Sequence, residues 1–201
     1  MKKIFFNPDS STSSGRRTLF LHGFPAVRSQ QNRFYAELVS QRLNRETTVL
    51  LYDGLGFSDG VFSFSKTLAA VEETFLEFVK QADAAKEKID LVGHSWGGFM
   101  SLNLASKYAS SISRLVLMSP LLKFGEATRS RDAFEQTAKA NPQLVLGDHA
   151  TLGNDFVEVG AKIPIEKLIH SIPASLDITL LQAKDDSITP PDVVESLLSS
   201  F

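Results

Sequence analysis

The sequence predicts an α/β fold in which helices cover both faces of a mostly parallel central sheet. Short apolar runs alternate along the chain with segments in which apolar residues recur at helical spacing. The apolar runs have no polar face, which is typical of parallel strands that are buried on both sides. The 201 residues suit a single domain, 1–201, that can bury a full hydrophobic core.

The predicted strands and helices follow one another in the order that such a fold requires. A strand is predicted wherever a short run rich in Val, Ile, Leu or Phe is bounded by Gly, Pro, Ser or Asp. These runs are Ile4–Phe6, Thr18–Leu21, Thr48–Tyr52, Ile89–Val92, Leu115–Met118 and Ile178–Leu181. Helices are predicted within residues 30–45, 65–79, 99–108 and 190–198, with Ser65 as the N-cap of the second.

The segment between Met118 and Ile178 is too long for a single crossover helix. It leaves from the carboxyl end of a predicted strand, which is the edge where open α/β sheets bind ligands. We therefore expect residues 123–170 to form a small cap over that edge. An elaborated surface connection is the alternative.

The composition argues against several classes of function. The formal net charge of −2 arises from mixed acidic and basic residues, which leave no basic face for nucleic acid. The absence of cysteine excludes disulfides, thiolate metal sites and a cysteine nucleophile. No apolar run reaches membrane-spanning length, and the apolar start at Ile4–Phe6 is too short for a signal peptide. We expect a soluble cytoplasmic protein without nucleic-acid or membrane partners, and the oligomeric state is not predicted.

The most informative stretch is Gly93–Gly97, which fills the pattern G-x-S-x-G between a buried strand and a buried helix. A nucleophilic serine in such a turn stands clear of the backbone on a strained residue, and the flanking glycines avoid collisions there. The start of the following helix favours the negative charge of an oxyanion. A phosphate loop is excluded because no G-x-x-x-x-G-K-[ST] is present. A glycine-rich turn with an incidental serine is the alternative.

Further motifs stand at the ends of other predicted strands. His22–Pro25 reads HGFP, Gly54–Ser58 reads GLGFS, and Asp186–Pro190 reads DSITP. Together with Gly93–Gly97, they resemble the HG loop, the G-x-G-x-S loop, the acid segment and the nucleophile elbow of the α/β-hydrolase fold family. The motifs occur in family order and cover most of the chain. The resemblance therefore implies an α/β-hydrolase fold.

The resemblance also implies a role for individual residues. Ser95 would be the nucleophile, and the backbone N–H groups of Phe24 and Trp96 would form the oxyanion hole. Asp186 would orient the base, and its distance from the following proline favours it over the alternative, Asp185. The implied reaction needs no metal or organic cofactor, and its substrate would be a small molecule with an ester or similar acyl bond.

No histidine is found at the position where the family has its catalytic base. In the family it follows the acid, beyond one further helix and strand, whereas all four histidines of this chain precede Asp186. His22 is expected to shape the oxyanion hole, His94 is expected to pack in the interior, and His170 is expected to pack or to face solvent. His149, in the predicted cap, is the histidine that in principle swings over the nucleophile.

The chain departs from the family pattern in three places. Asp53 abuts Gly54, which shortens the glycine loop, and only Ile4–Phe6 is available for the hairpin that precedes the HG strand. The sequence stops at Phe201, before the last strand, histidine and helix of the family, so we expect it to be incomplete at the C-terminus. Without a base from His149, the chain as given is expected to be inactive.

The expected function is that of a serine hydrolase, resembling carboxylesterases, that works through an acyl-enzyme on Ser95. Acyltransferases, lyases and perhydrolases use the same constellation, and the fold does not separate them. A non-catalytic binding or regulatory protein on the same scaffold is the alternative from a different class.

Overall fold

The computed structural model describes residues 1–8, 17–24, 29–53, 62–122, 162–186 and 189–199, with side chains from residue 33 onward in the helix that starts at residue 29. The predicted glycine loop 54–58, His149 and most of the predicted cap 123–170 lie outside these residues.

In the described ranges, the strands form one sheet. Its members are β1 (Lys2–Phe6), β2 (Arg17–Leu21), β3 (Glu46–Leu51), β4 (Ile89–His94), β5 (Ile112–Met118) and β6 (Asp177–Leu181). Their order across the sheet is β1-β3-β2-β4-β5-β6. β1 pairs antiparallel with β3, and every other pair is parallel. The mostly parallel sheet predicted from the sequence is confirmed.

Helices cover both faces of the sheet, as predicted. They are α1 (Ser29–Leu43), α2 (Phe64–Ala84), α3 (Trp96–Tyr108), α4 (Ile165–His170) and α5 (Pro191–Leu198). Leu91 of β4 belongs to the larger core cluster, with residues of α2 and α3 such as Phe75 and Phe99. The next residue, Val92, belongs to a smaller cluster with Ala36 of α1, because successive side chains of a strand alternate between faces. None of the described helices combines the length and the apolar character needed to cross a membrane.

Helix α2 begins earlier than the sequence pattern predicts. Its N-cap is Ser63, which has an extended backbone and whose hydroxyl accepts from the Lys66 N–H at 3.5 Å. The prediction of Ser65 as the cap is wrong because Phe64, which is fully buried, already forms part of the first turn. Burial of this aromatic ring extends the helix beyond the apolar spacing that is visible in the sequence.

The carboxyl ends of β2, β4, β5 and β6 lie along one edge of the sheet because these strands are parallel. The residues that follow them are Gly23 and Phe24, Ser95, Ser119–Leu122, and Asp185 and Asp186. This carboxyl edge is where open α/β sheets bind ligands. The fold thus brings the motif residues to the same edge.

The opposite, amino edge carries a buried charge. Asp90 of β4 is 3% exposed and forms an ion pair with Arg45, the residue that precedes β3. The partner is also largely buried, with a side-chain exposure of 14%. A charge in such a position is tolerated when an opposite charge compensates it.

Candidate active site

Ser95 occupies the turn between β4 and α3. Its backbone has φ 53° and ψ −117°, a combination that residues other than glycine rarely adopt. The side chain is partly exposed, whereas the first residues of α3 are buried. The structure thus contains the sharp, strained turn that the G-x-S-x-G pattern predicts.

Close contacts explain the glycines on either side of this serine. A Cβ at Gly93 would lie 2.7 Å from the carbonyl carbon of Gly97, and a Cβ at Gly97 would lie 2.8 Å from the carbonyl oxygen of His22. Both separations are shorter than real Cβ contacts. A third glycine, Gly98, faces Pro120 in the same way, with 2.7 Å to its Cβ. The sequence pattern does not single out Gly98, because its neighbour comes from the connection after β5.

The strained conformation is held by backbone hydrogen bonds in three directions. The Ser95 N–H donates to the carbonyl of Met118 in β5 at 2.9 Å. The Ser95 carbonyl accepts from Gly98 and Phe99 of α3 at 2.9 and 3.2 Å. It also accepts from the N–H of Leu121 at 2.9 Å. Such strain persists only where the surroundings fix the conformation, and here a strand, a helix and a connecting segment do so.

His22 is a buried, neutral ring in the loop after β2. Burial lowers its pKa to about 4, the hydrogen bond to the Gly23 carbonyl works against this shift, and the positive charge of His94 adds to it. Its Nδ1 lies 2.7 Å from the Gly23 carbonyl oxygen, so the neutral ring donates its proton there. The hydroxyl of Tyr52 donates to the His22 carbonyl at 3.1 Å, and the two ring centroids are 4.0 Å apart.

This bond fixes the peptide that carries one of the expected oxyanion donors. The Gly23 carbonyl and the Phe24 N–H belong to the same planar trans peptide and point in opposite directions. Holding the carbonyl on His22 therefore also sets the direction of the Phe24 N–H. A Cβ at Gly23 would lie 3.0 Å from the Ser95 Cβ, so this loop passes directly beside the serine.

The other expected donor, the N–H of Trp96, is the first amide of α3 and directly follows Ser95. Its indole ring is fully buried, with the ring centroids of Tyr52 and Phe62 each 5.2 Å away. Phe24 also packs against this group, with 6.4 Å between the centroids of Phe24 and Trp96. The side chain of Trp96 is thus part of the core.

The acid segment distinguishes between the two neighbouring aspartates. Asp186 is partly buried, and its two carboxylate oxygens accept from the N–H and the hydroxyl of Thr189 at 2.9 and 2.8 Å. Asp185 is exposed. The carboxylate of Asp186 also acts on His94, the residue that precedes Ser95. Asp186 is thus held by Thr189, whereas Asp185 is exposed to solvent.

In the described part of the chain, no histidine hydrogen-bonds Ser95. His94 is partly exposed, and its buried Nδ1 has no hydrogen-bond partner. Burial lowers the pKa of His94, and the charge of Asp186 opposes this. His170 is exposed at the end of α4, with its Nδ1 2.6 Å from the Glu166 carbonyl. A packing role is the only one predicted for His94, whereas in the structure its ring is close enough to Asp186 for their charges to interact.

Comparison with protein families gives a match over most of the chain. Residues 18–193 match a family model described as "Alpha/beta hydrolase family".

Solved structures share the fold at low sequence identity. A soluble variant of monoglyceride lipase from Saccharomyces cerevisiae, in complex with a substrate analogue, is 20% identical, with a TM-score of 0.69 over 98% of this chain and 76% of that chain. Est1E from Butyrivibrio proteoclasticus with bound ferulic acid is 17% identical, with a TM-score of 0.74 over 100% of this chain and 81% of that chain. The monoacylglycerol lipase of Paleococcus ferrophilus is 17% identical, with a TM-score of 0.68 over 100% of this chain and 84% of that chain.

Similarity to curated proteins is confined to a short segment. The 1-acylglycerol-3-phosphate O-acyltransferase ICT1 of Saccharomyces cerevisiae is 43% identical over 56 residues, which are 27% of this chain and 14% of that protein. Protein ECM18 of the same yeast is 40% identical over 52 residues, which are 25% of this chain and 12% of that protein. The matched segments thus represent a small part of both yeast proteins.

Proposed function

The chain belongs to the alpha/beta hydrolase family, and we propose that it is a cytoplasmic serine hydrolase that cleaves an ester or similar acyl bond of a small molecule. The observation that carries this proposal is the backbone of Ser95, held at φ 53° between β4 and α3. Folding alone does not require a strained serine at this point, since glycine would adopt the same conformation at lower cost. Names of similar proteins, which include lipases and an acyltransferase, support an acyl substrate.

The proposed reaction begins with attack of the Ser95 hydroxyl oxygen on the carbonyl carbon of the substrate. The resulting oxyanion accepts hydrogen bonds from the N–H groups of Phe24 and Trp96, each worth about 3–4 kcal/mol when aligned. The base takes the proton of the Ser95 hydroxyl and gives it to the leaving alcohol as the bond from the carbonyl carbon to that alcohol breaks, which leaves an acyl-enzyme. Water attacks this ester and releases the acid. Transfer of the acyl group to another acceptor would use the same first step.

Asp186 orients the base in this proposal, and its support is that Thr189 holds both of its carboxylate oxygens and that its charge acts on His94, the residue before Ser95. Two sources of the base stay open: His149 and, as the family resemblance implies, a histidine in a segment that follows residue 201. Exchange of His149 for Gln separates them. It abolishes reaction of Ser95 if His149 is the base and leaves it unchanged if the base lies elsewhere.

The proposal is tested by labelling the full-length protein with a fluorophosphonate probe and locating the adduct by mass spectrometry. We expect an adduct on Ser95 and none in Ser95→Ala. Ser119→Ala is the matched control, because Ser119 also has a positive φ, 41°, at the end of the neighbouring strand β5. Labelling that persists in Ser95→Ala, or that never occurs on the wild-type protein, would contradict the proposal.

A binding or regulatory protein on the same scaffold is the second candidate. The observation that favours it is that, within the described ranges, no histidine is hydrogen-bonded to Ser95. Such a protein would bind a ligand at the carboxyl edge without forming a covalent adduct. The labelling experiment therefore separates the two candidates.

A further inference from the structure

A cavity of about 600 Å³ lies between the first turns of α4 and α5. Its apolar lining comes from Leu122, Pro164, Ile165, Val193 and Leu197. Three of these, Leu122, Ile165 and Leu197, also pack in or against the main core. The cavity is thus a continuation of the hydrophobic core toward the surface, and its volume lies in the range of small-molecule sites.

The cavity lies at the carboxyl edge of the sheet. Helix α5 follows β6, so the first turn of α5 starts from that edge. Helix α4 ends shortly before β6 begins at the opposite edge, so the first turn of α4 is the end that lies nearer to the carboxyl edge. The residues of both helices that line the cavity are those of their first two turns. Ser95 and Asp186 follow β4 and β6 at this edge as well.

Two walls of the cavity are tied to the proposed catalytic residues. Leu122 follows Leu121, whose N–H donates to the carbonyl of Ser95 at 2.9 Å. The wall formed by α5 starts shortly after Thr189, which binds both oxygens of Asp186. Neither Ser95 nor Asp186 lines the cavity itself, but two of its walls follow residues that are hydrogen-bonded to them.

The polar residues of the lining stand at the outer side. Glu166, Lys167, Asp192 and Ser196 are exposed and surround the aliphatic part. The charged residues of this rim are two acids, Glu166 and Asp192, and one base, Lys167, so the rim is not a built site for an anion. Aliphatic walls with a mixed polar rim suit a hydrocarbon chain whose polar end remains near water.

We propose that this cavity, the α4–α5 cavity, receives the aliphatic chain of an acyl substrate whose carbonyl lies at Ser95. The inference rests on the proposed function and names its substrate class, esters of aliphatic acids that are long enough to enter the cavity. Short acyl groups react at the same serine without filling it.

The test uses a substitution that fills the cavity and a matched one that does not. Ser196→Trp places a large ring on the lining, whereas Ser199→Trp places the same ring on an exposed position one turn later that does not line the cavity. Binding of dodecanoate and of butyrate is measured by calorimetry on both variants and on the wild-type protein. Hydrolysis of the p-nitrophenyl esters of the same two acids is measured in parallel.

We expect Ser196→Trp to weaken dodecanoate binding and to lower kcat/KM for the dodecanoate ester, each by about tenfold or more, with butyrate values unchanged. Ser199→Trp should behave like the wild-type protein. Val193→Phe is the second filling variant if Ser196→Trp shows a lowered melting temperature. Equal effects on both chain lengths, or no effect of either filling variant, would overturn the inference.

The two proposals fail in different ways. Suppose that Ser95 is labelled and both esters are cleaved, but the filling variants do not change the preference between the dodecanoate and the butyrate ester. The cavity inference is then wrong and the proposed function stands. If Ser95 is never labelled but filling still weakens dodecanoate binding, the proposed function is wrong and the cavity still binds an aliphatic chain.

Discussion

The two ends of the central strand β4 accommodate unfavourable groups in different ways. At the amino end, Asp90 is 3% exposed and its charge is compensated by Arg45. At the carboxyl end, Ser95 is held at φ 53° by hydrogen bonds to β5, α3 and the segment after β5. The amino end depends on a partner to stabilise the fold. The carboxyl end keeps strain at the residue that is proposed to react.

We therefore expect the ion pair at the amino edge to act on stability and the proposed catalytic residues at the carboxyl edge to act on reactivity. A change at the amino edge should alter the free energy of unfolding and leave the reactivity of Ser95 unchanged in the folded protein. Substitution of the proposed acid Asp186 at the carboxyl edge should alter reactivity more than stability. Substitutions at each edge, with controls of the same chemical type, test this separation.

The largest effect is expected from Asp186→Asn at the carboxyl edge. An amide at this position accepts from Thr189 but no longer stabilises a charged base, so we expect the rate of Ser95 acylation to fall about 10⁴-fold. Asp185→Asn, at the exposed neighbouring position, is the matched control and should change the rate little. The rate is measured as fluorophosphonate labelling of Ser95, and the free energy of unfolding is measured by denaturant titration.

The variants Asp186→Asn and Asp185→Asn can also be compared by a measurement that does not depend on catalysis. The carboxylate of Asp186 raises the pKa of His94 against the effect of burial. Asp186→Asn should therefore lower the pKa of His94 in an NMR titration, and Asp185→Asn should leave it in place. A rate loss confined to Asp185→Asn would instead make Asp185 the acid.

The next effect is expected at the amino edge, from Asp90→Asn. This change removes the carboxylate charge that compensates Arg45 at a buried position, and we expect a loss of about 3–5 kcal/mol in the free energy of unfolding. Asp177→Asn is the control, because Asp177 forms an exposed ion pair with Arg114 at 2.8 Å, and removal of such a pair costs up to about 1 kcal/mol. Both values come from denaturant titration.

Labelling of Ser95 in the Asp90→Asn protein tests whether a loss of stability at the amino edge leaves the reactivity of Ser95 unchanged. At a temperature where this variant is still folded, its labelling rate should equal that of the wild-type protein. A rate that falls together with stability would show that the two edges are coupled through β4, and the comparison would have to be abandoned.

The order of strands and helices was predictable because hydrophobic periodicity and the turn-forming residues that interrupt it are local properties of the sequence. The runs Thr18–Leu21 and Ile89–Val92 became adjacent parallel strands, as apolar runs between helical segments predict. The N-cap of α2 was assigned to Ser65 instead of Ser63, because the burial of Phe64 depends on packing partners from elsewhere in the chain.

The candidate site was predictable to the extent that it follows from strand ends. Ser95 and Asp186 could be placed at one edge from their motifs alone. The roles of Gly23 and Gly98 could not, since each is required by a residue that is distant in sequence, Ser95 and Pro120 respectively. The ion pair between Arg45 and Asp90 is equally non-local, and neither residue is distinctive in the sequence.

The smallest expected effect is a decrease in the free energy of unfolding at acidic pH that arises from His22 at the carboxyl edge. Its pKa is lowered from 6.5 to about 4 in the folded protein, chiefly by burial, so between these values the unfolded chain binds a proton that the folded chain does not. The stabilising contribution of neutral His22 is complete above the unfolded pKa and is lost as pH falls toward the folded one. The full difference is about 3 kcal/mol.

His22→Phe removes this titration while keeping a ring against Tyr52, whose centroid lies 4.0 Å away. The unfolding free energy of the wild-type protein should therefore fall more steeply than that of the variant as pH is lowered from about 6.5 to about 4. The variant also lacks the donor to the Gly23 carbonyl, which lies 2.7 Å from Nδ1, so kcat should fall at neutral pH. Parallel pH curves would mean that burial does not lower the pKa of His22 in the folded protein and would contradict this prediction.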